Sequence, residues 1–164
     1  MDITLGARTE ESVAVYFEKA RTELIRRTLP QKAETLDEAL ADFRRTQCPG
    51  ATSFGRTILA GNRYIGDVWC YAMDAGDEPQ AMISYCVFEP ECWNRGAATQ
   101  ALHLFLAEVR GLFGLRVFGA FTYAANAASR RVLEKNGFTM RERFFEDGVE
   151  SCYYQCECEG TDNA

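Results

Sequence analysis

A single histidine, His103, stands in the whole chain, and no CxxC pair occurs among its seven cysteines. That shortage removes the common zinc patterns, which need thiolates or imidazoles at short, paired spacing. Cys48, Cys70, Cys86, Cys92, Cys152, Cys156 and Cys158 are odd in number and scattered, which argues against a disulfide framework and for reduced thiols. The densest run, "CYYQCEC", sets Cys156 and Cys158 on one face of a strand, and no metal is expected there. No apolar run approaches the roughly 18 residues of a membrane span, so no membrane partner is expected. The opening "MDITLGARTEESV" lacks the basic flank and apolar core of a signal peptide, and a cytoplasmic protein is the simplest reading. Cations are also in deficit: 18 Lys and Arg against 24 Asp and Glu leave a net charge of −6. Binding along nucleic-acid phosphates needs clustered Lys and Arg, so no nucleic-acid partner is expected either.

What is present suits one domain over residues 1–164, long enough for a buried core and too short for two. "DITLGART" reads as a short strand. "EESVAVYFEKARTELIRRTL" follows, with Val13, Tyr16, Phe17 and Ala20 at helical spacing, and Pro30 ends or bends that region. "AETLDEALADFRRT" starts a second helix, with Thr35 as N-cap and Glu38 completing a capping box. After the breaker "CPGATSFG" come "RTILAG", "RYIGDVWCYAM" and "QAMISYCVFE", separated by turn signals, so a three-stranded antiparallel meander is expected. Beyond Gly96, Leu102, Phe105, Leu106 and Val109 fall at i, i+3, i+4 and i+7, an amphipathic helix that Gly111 and Gly114 stop. "LRVFGAFTY" is a strand, and "NAASRRVLEKNG" a helix with Asn126 at its start and Gly137 just past its end. "FTMRERFFEDGVESCYYQCEC" is a hairpin turning at Asp147-Gly148. The order implies an α+β fold: a mixed, mostly antiparallel sheet of six to seven strands, helices on both faces, and one strand–helix–strand crossover.

Chemistry concentrates in "ECWNRGAATQALHLFLAEV". The preceding strand ends at Glu89-Pro90, because proline has no N–H for a ladder. The chain therefore leaves the sheet and enters a helix near Gly96. A helix start offers unpaired N–H donors and partial positive charge, so an anion can bind there without a basic side chain. Gly96, Ala97 and Ala98 lack the bulk that would keep a large anion off the backbone, and Arg95 and Thr99 add a charge and a hydroxyl. The pattern is neither a Walker loop nor a GxGxxG turn. Taken alone it reads first as a plain small-residue helix start.

A second stretch, "AANAASRRVLEKNGF", follows about thirty residues later. Together the two resemble the GNAT acyltransferase superfamily, most closely its RimJ/RimL-like branch of ribosomal-protein N-terminal acetyltransferases. The family's acetyl-CoA loop, Q/R-x-x-G-x-G/A, aligns with Trp93, Asn94, Arg95, Gly96, Ala97 and Ala98. Trp93 departs from the usual Gln or Arg, although an aromatic there is a form of this branch. The second motif, N-x-x-S-x-x-V-L-E-K-x-G-F, is matched by Asn126, Ser129, Val132, Leu133, Glu134, Lys135, Gly137 and Phe138. The resemblance covers residues 56–155 closely and the first fifty only in outline.

The resemblance implies acetyl-CoA as co-substrate, held where two parallel strands splay apart. Backbone N–H groups of Arg95 to Thr99 would meet its pyrophosphate, and the backbone near Val87 and Phe88 would pair with the pantetheine like an extra strand. Asn126 and Ser129 would touch the pantetheine or thioester. An amine-bearing acceptor, a small molecule or a protein N-terminus, would attack the acetyl carbonyl directly. Glu89 is the first candidate for its base, ahead of Glu91 and Glu150. Many relatives carry a Tyr as acid where this chain has Leu133, and Ser129 is the expected substitute, with Tyr123 and Tyr154 as alternatives. His103 lies past the first helical turn and has no assigned role. The acceptor is expected against the first helices and the final hairpin, where Glu18, Glu23, Asp37 and Glu146 could attract a cation. A monomer and a homodimer both remain open, as does a GNAT-like module that binds acyl-CoA with weak or no turnover.

Overall fold

A computed structural model describes residues 1–158 of the chain. Its elements follow the order read from the pattern, with three helices in place of two before the second strand: β1 (Ile3–Ala7), α1 (Glu10–Lys19), α2 (Glu23–Arg26), α3 (Leu36–Thr46), β2 (Phe54–Ala60), β3 (Arg63–Asp74), β4 (Gln80–Val87), α4 (Ala97–Phe113), β5 (Val117–Tyr123), α5 (Ala127–Lys135), β6 (Thr139–Glu146) and β7 (Val149–Glu157). Seven strands form one mixed sheet in the order β1-β2-β3-β4-β5-β7-β6. Every neighbouring pair is antiparallel except β4 and β5. That pair is joined by the α4 crossover, as a parallel pair requires.

Several local expectations need correction. The long helix expected before Pro30 breaks in two: α1 closes at Ala20, and Thr22 is extended (ψ 147°) before α2 begins. Thr9 caps α1 through a reciprocal box with Ser12. Thr35 does accept from the Glu38 N–H (3.2 Å), but the Glu38 carboxylate goes to the N–H of Glu34, so the box closes one residue further back. Gly111 does not stop α4; Gly114 does, in the left-handed region at φ +65°. Gly137 ends α5 as expected: the Phe138 N–H reaches Leu133 O and the Gly137 N–H reaches Glu134 O, a Schellman closure. The final hairpin turns at Asp147 and Gly148, both at positive φ.

The main core lies between the sheet and the crossover helix. Leu102, Phe105, Leu106 and Val109, the four residues at helical spacing, are all buried there. A smaller cluster packs α1 and α2 on the other face, where Ala20 and Ile25 meet Cys86 and Phe88. Helices thus cover both faces. β3 and β4 approach so closely at Gly66 that an added Cβ would lie 2.0 Å from the Cys86 carbonyl oxygen.

Candidate active site

The parallel pairing of β4 with β5 is short. It covers Gln80, Ala81 and Met82 against Val117, Phe118 and Gly119, while both strands run on, β4 to Val87 and β5 to Tyr123. Beyond Met82 the strands part. Gly119 stands at the last rung because Tyr153 lies over it; a Cβ there would sit 2.8 Å from the Tyr153 hydroxyl and from Met82 Sδ. A cleft of about 550 Å3 fills the separation, walled by α2, the 92–99 loop, β5 and α5.

Strand alternation sets what β4 offers the cleft. The Phe88 N–H goes to Ile65 O on β3 (2.9 Å). Val87 and Tyr85 therefore aim their backbone groups the other way, into the separation. The Val87 carbonyl is already engaged by the indole N–H of Trp93 at 2.7 Å. Trp93 thus staples the loop to the end of β4, and its departure from the family pattern has a structural use. Phe88 is corrected: its backbone serves β3, and its ring is buried against Tyr16 and Tyr64.

The loop enters α4 through two left-handed residues, Asn94 (φ +57°) and Gly96 (φ +82°). An added Cβ on Gly96 would meet nothing closer than 3.6 Å. The glycine is needed for its backbone angle, not for the space it leaves. No side chain caps α4. The first bond of the helix joins the Gln100 N–H to Gly96 O, so the N–H groups of Ala97, Ala98 and Thr99 have no partner within the helix. Arg95 turns away: its guanidinium lies 3.5 Å from Glu91 O, and it does not line the cleft. Asn136 donates to Thr99 O (3.2 Å) and Val132 O (3.0 Å), tying the first turn of α4 to α5.

Across the cleft, Asn126 caps α5 by accepting from the Ser129 N–H at 3.1 Å. That bond turns Ser129 into the first turn, where the helix end is partially positive. The Ser129 hydroxyl lies 2.8 Å from the Tyr85 hydroxyl, which also donates to Ser129 O at 3.1 Å. Burial pushes the Tyr85 phenol well above its ordinary range, against a smaller lowering by Ser129, so it stays protonated. The pattern Asn-x-x-Ser pointed to this pair's serine; nothing in the sequence marked Tyr85 beyond its alternation on β4. Leu133, where a family tyrosine is usual, is buried in the core.

The carboxylates lie elsewhere. Among the described residues no Asp or Glu lines the cleft, whereas Arg27, Arg131 and Lys135 do. Glu89, expected to be the base, is nearly covered and held between Lys19 (3.3 Å) and Arg63 (3.1 Å), outside the cleft lining. Glu91 pairs with Arg63 and Glu150 with Arg143. Tyr154 is fully buried, accepting from Arg130 Nε and donating to Glu134. His103 is exposed on α4. Cys156 and Cys158 are half-buried thiols, and no group of three possible metal ligands occurs among the described residues.

A family model described as "Acetyltransferase (GNAT) domain" matches residues 3–139. No curated protein sequence matches the chain. Among solved structures, the ribosomal alpha-N-protein acetyltransferase RimL in complex with coenzyme A is similar, at 20% identity over 95% of this chain and 94% of that one, with a TM-score of 0.78. An aminoglycoside acetyltransferase in complex with coenzyme A shares 15% identity over 95% of both chains, with a TM-score of 0.77. The spermidine N-acetyltransferase of Vibrio cholerae, in complex with coenzyme A and spermine, shares 15% over 94% of this chain and 95% of that one, with a TM-score of 0.82. At such identities these likenesses establish the fold.

Proposed function

The chain belongs to the acetyltransferase (GNAT) domain family, and from that premise we propose that it is an acetyl-CoA-dependent N-acetyltransferase acting on a primary amine. The observation that carries the reading is the strand separation. It joins a β4 edge left open at the Tyr85 backbone and the Val87 N–H, an uncapped α4 start, and a hydroxyl pair at the head of α5 in one cleft. Those parts fit acetyl-CoA: N–H donors at Ala97, Ala98 and Thr99 for the pyrophosphate, a strand edge for the pantetheine amides, and Arg131 and Lys135 for the remaining phosphate charge.

When bound, acetyl-CoA supplies a thioester whose carbon takes the amine nitrogen as its C–S bond breaks. Ser129 Oγ holds the proton that the sulfur gains and takes one back from solvent, while the Tyr85 hydroxyl, 2.8 Å away, orients the serine. The α5 N-terminus favours negative charge at the same place. The amine gives up its proton to solvent, the described residues of the cleft wall offering it no carboxylate, and Glu89 serves as a clamp between α1, β3 and the loop. Net, one proton passes from the amine to the CoA sulfur. The same lack of a carboxylate favours a second reading, a module that binds acyl-CoA with little turnover.

Thermal unfolding with added acetyl-CoA tests the donor site. Ligand at 100 times its Kd should stabilise the protein by about 2.7 kcal/mol. No shift at millimolar acetyl-CoA would remove both readings.

A further inference from the structure

A second cavity, of about 780 Å3, lies under α1 and α3. It meets the cleft at Leu29 and Ser84, which line both. Ser84 is two residues beyond Met82, the last β4 residue paired with β5. The cavity therefore adjoins the strand separation at Ser84, and among the described residues none from α5 lines it.

Five aromatic rings stand in its wall, beside polar groups such as Gln31, Thr46 and Ser53. Tyr16 and Phe17 come from α1, Phe43 from α3, and Trp69 and Tyr71 from β3, with the Tyr16 and Trp69 rings edge to face at 6.1 Å. The buried Tyr16 hydroxyl has the Cys86 thiol beside it and no oxygen or nitrogen partner among the described residues, so a polar group of a ligand would be a stronger acceptor than the sulfur. The charges are few and of the wrong sign for a polycation. Among the described residues Asp42 is the one carboxylate in the lining, and Arg45 already pairs with it. Arg8 is spent on Asp67, at 3.2 Å, and Lys32 adds an exposed cation. Among the described residues the adjoining cleft contributes arginine and lysine but no Asp or Glu.

A polyamine or aminosugar brings several positive charges, and binding it calls for facing carboxylates; like charges across a contact cost affinity. Aromatic walls instead reward an apolar body, through area removed from water and ring contacts. The volume is that of a small-molecule site.

We propose that this cavity holds the acceptor, and that the acceptor is a small primary amine carried on one aromatic or bulky apolar body, its nitrogen presented at Ser84. This rests on the acetyltransferase reading above. The full-length protein is assayed for CoA thiol release with 2-phenylethylamine, spermine and kanamycin at saturating acetyl-CoA. The expected kcat/KM for 2-phenylethylamine exceeds that of either polycation by about tenfold or more. Equal or better turnover of spermine or kanamycin overturns the inference, as does acetyl-CoA binding with no turnover of any of the three. Absence of acetyl-CoA binding altogether sinks the acetyltransferase reading instead. Tyr71→Ala should raise KM for 2-phenylethylamine about tenfold while KM for acetyl-CoA stays within about twofold. Lys32→Glu, at an exposed loop position, should narrow the preference over spermine severalfold. An unchanged amine KM and an unchanged preference in these variants would show that the acceptor lies elsewhere.

Discussion

At the scale of single residues, the proton donor is the most exposed part of the mechanism to test. Ser129→Ala removes the hydroxyl but leaves the Asn126 cap, which uses the Ser129 backbone N–H. Turnover should fall about 100-fold with acetyl-CoA affinity nearly unchanged, the size expected of a lost general acid. Tyr85→Phe keeps the serine and should cost less. Equal activity in both variants would place the acid elsewhere. Asp67 offers a separate test by pH. Burial pushes its carboxyl up to about 6, against the opposing pull of Arg8 and the Tyr64 hydroxyl at 2.6 Å. An unfolded aspartate releases its proton near 4. Between those values the folded state holds more protons, so this group's contribution to stability declines as pH rises from about 4 to 6. Relative to Asp67→Asn, the wild-type Tm should drop across that window; parallel Tm curves would contradict the assignment.

At the scale of elements, two glycines fix the cleft for different reasons. Gly96 holds φ +82° at the head of α4, a conformation that a β-branched residue takes only under strain. Gly96→Val should therefore cost about 1 to 3 kcal/mol locally and weaken acetyl-CoA binding about tenfold or more. Unchanged affinity would take the loop out of the mechanism. Gly66 instead sits against the Cys86 carbonyl. Gly66→Ala forces β3 from β4 at a cost of about 3 kcal/mol, a Tm loss of roughly 6 to 12 °C for a domain of this size.

For the molecule as a whole, the sequence carried the element order, the crossover and the α4 start. Helical period, turn residues and proline act over a few neighbouring positions, and α4's four apolar residues satisfied their pattern without tertiary help. The break between α1 and α2 was not legible, because it depends on how Ala20 and Ile25 dock onto Cys86 and Phe88. Nor was the fate of Glu89: its place next to Pro90 suggested a base, yet Lys19 and Arg63 come from other elements to clamp it. Tyr85 became visible only when β4 parted from β5, a fact of register between strands far apart in the chain. The central claim is that this separation carries acetyl transfer. It is tested most directly by mass spectrometry of a primary amine incubated with the protein and acetyl-CoA. The account predicts the N-acetylated amine with one CoA thiol per product, and loss of product in Ser129→Ala. An amine left unmodified while acetyl-CoA still binds would contradict it.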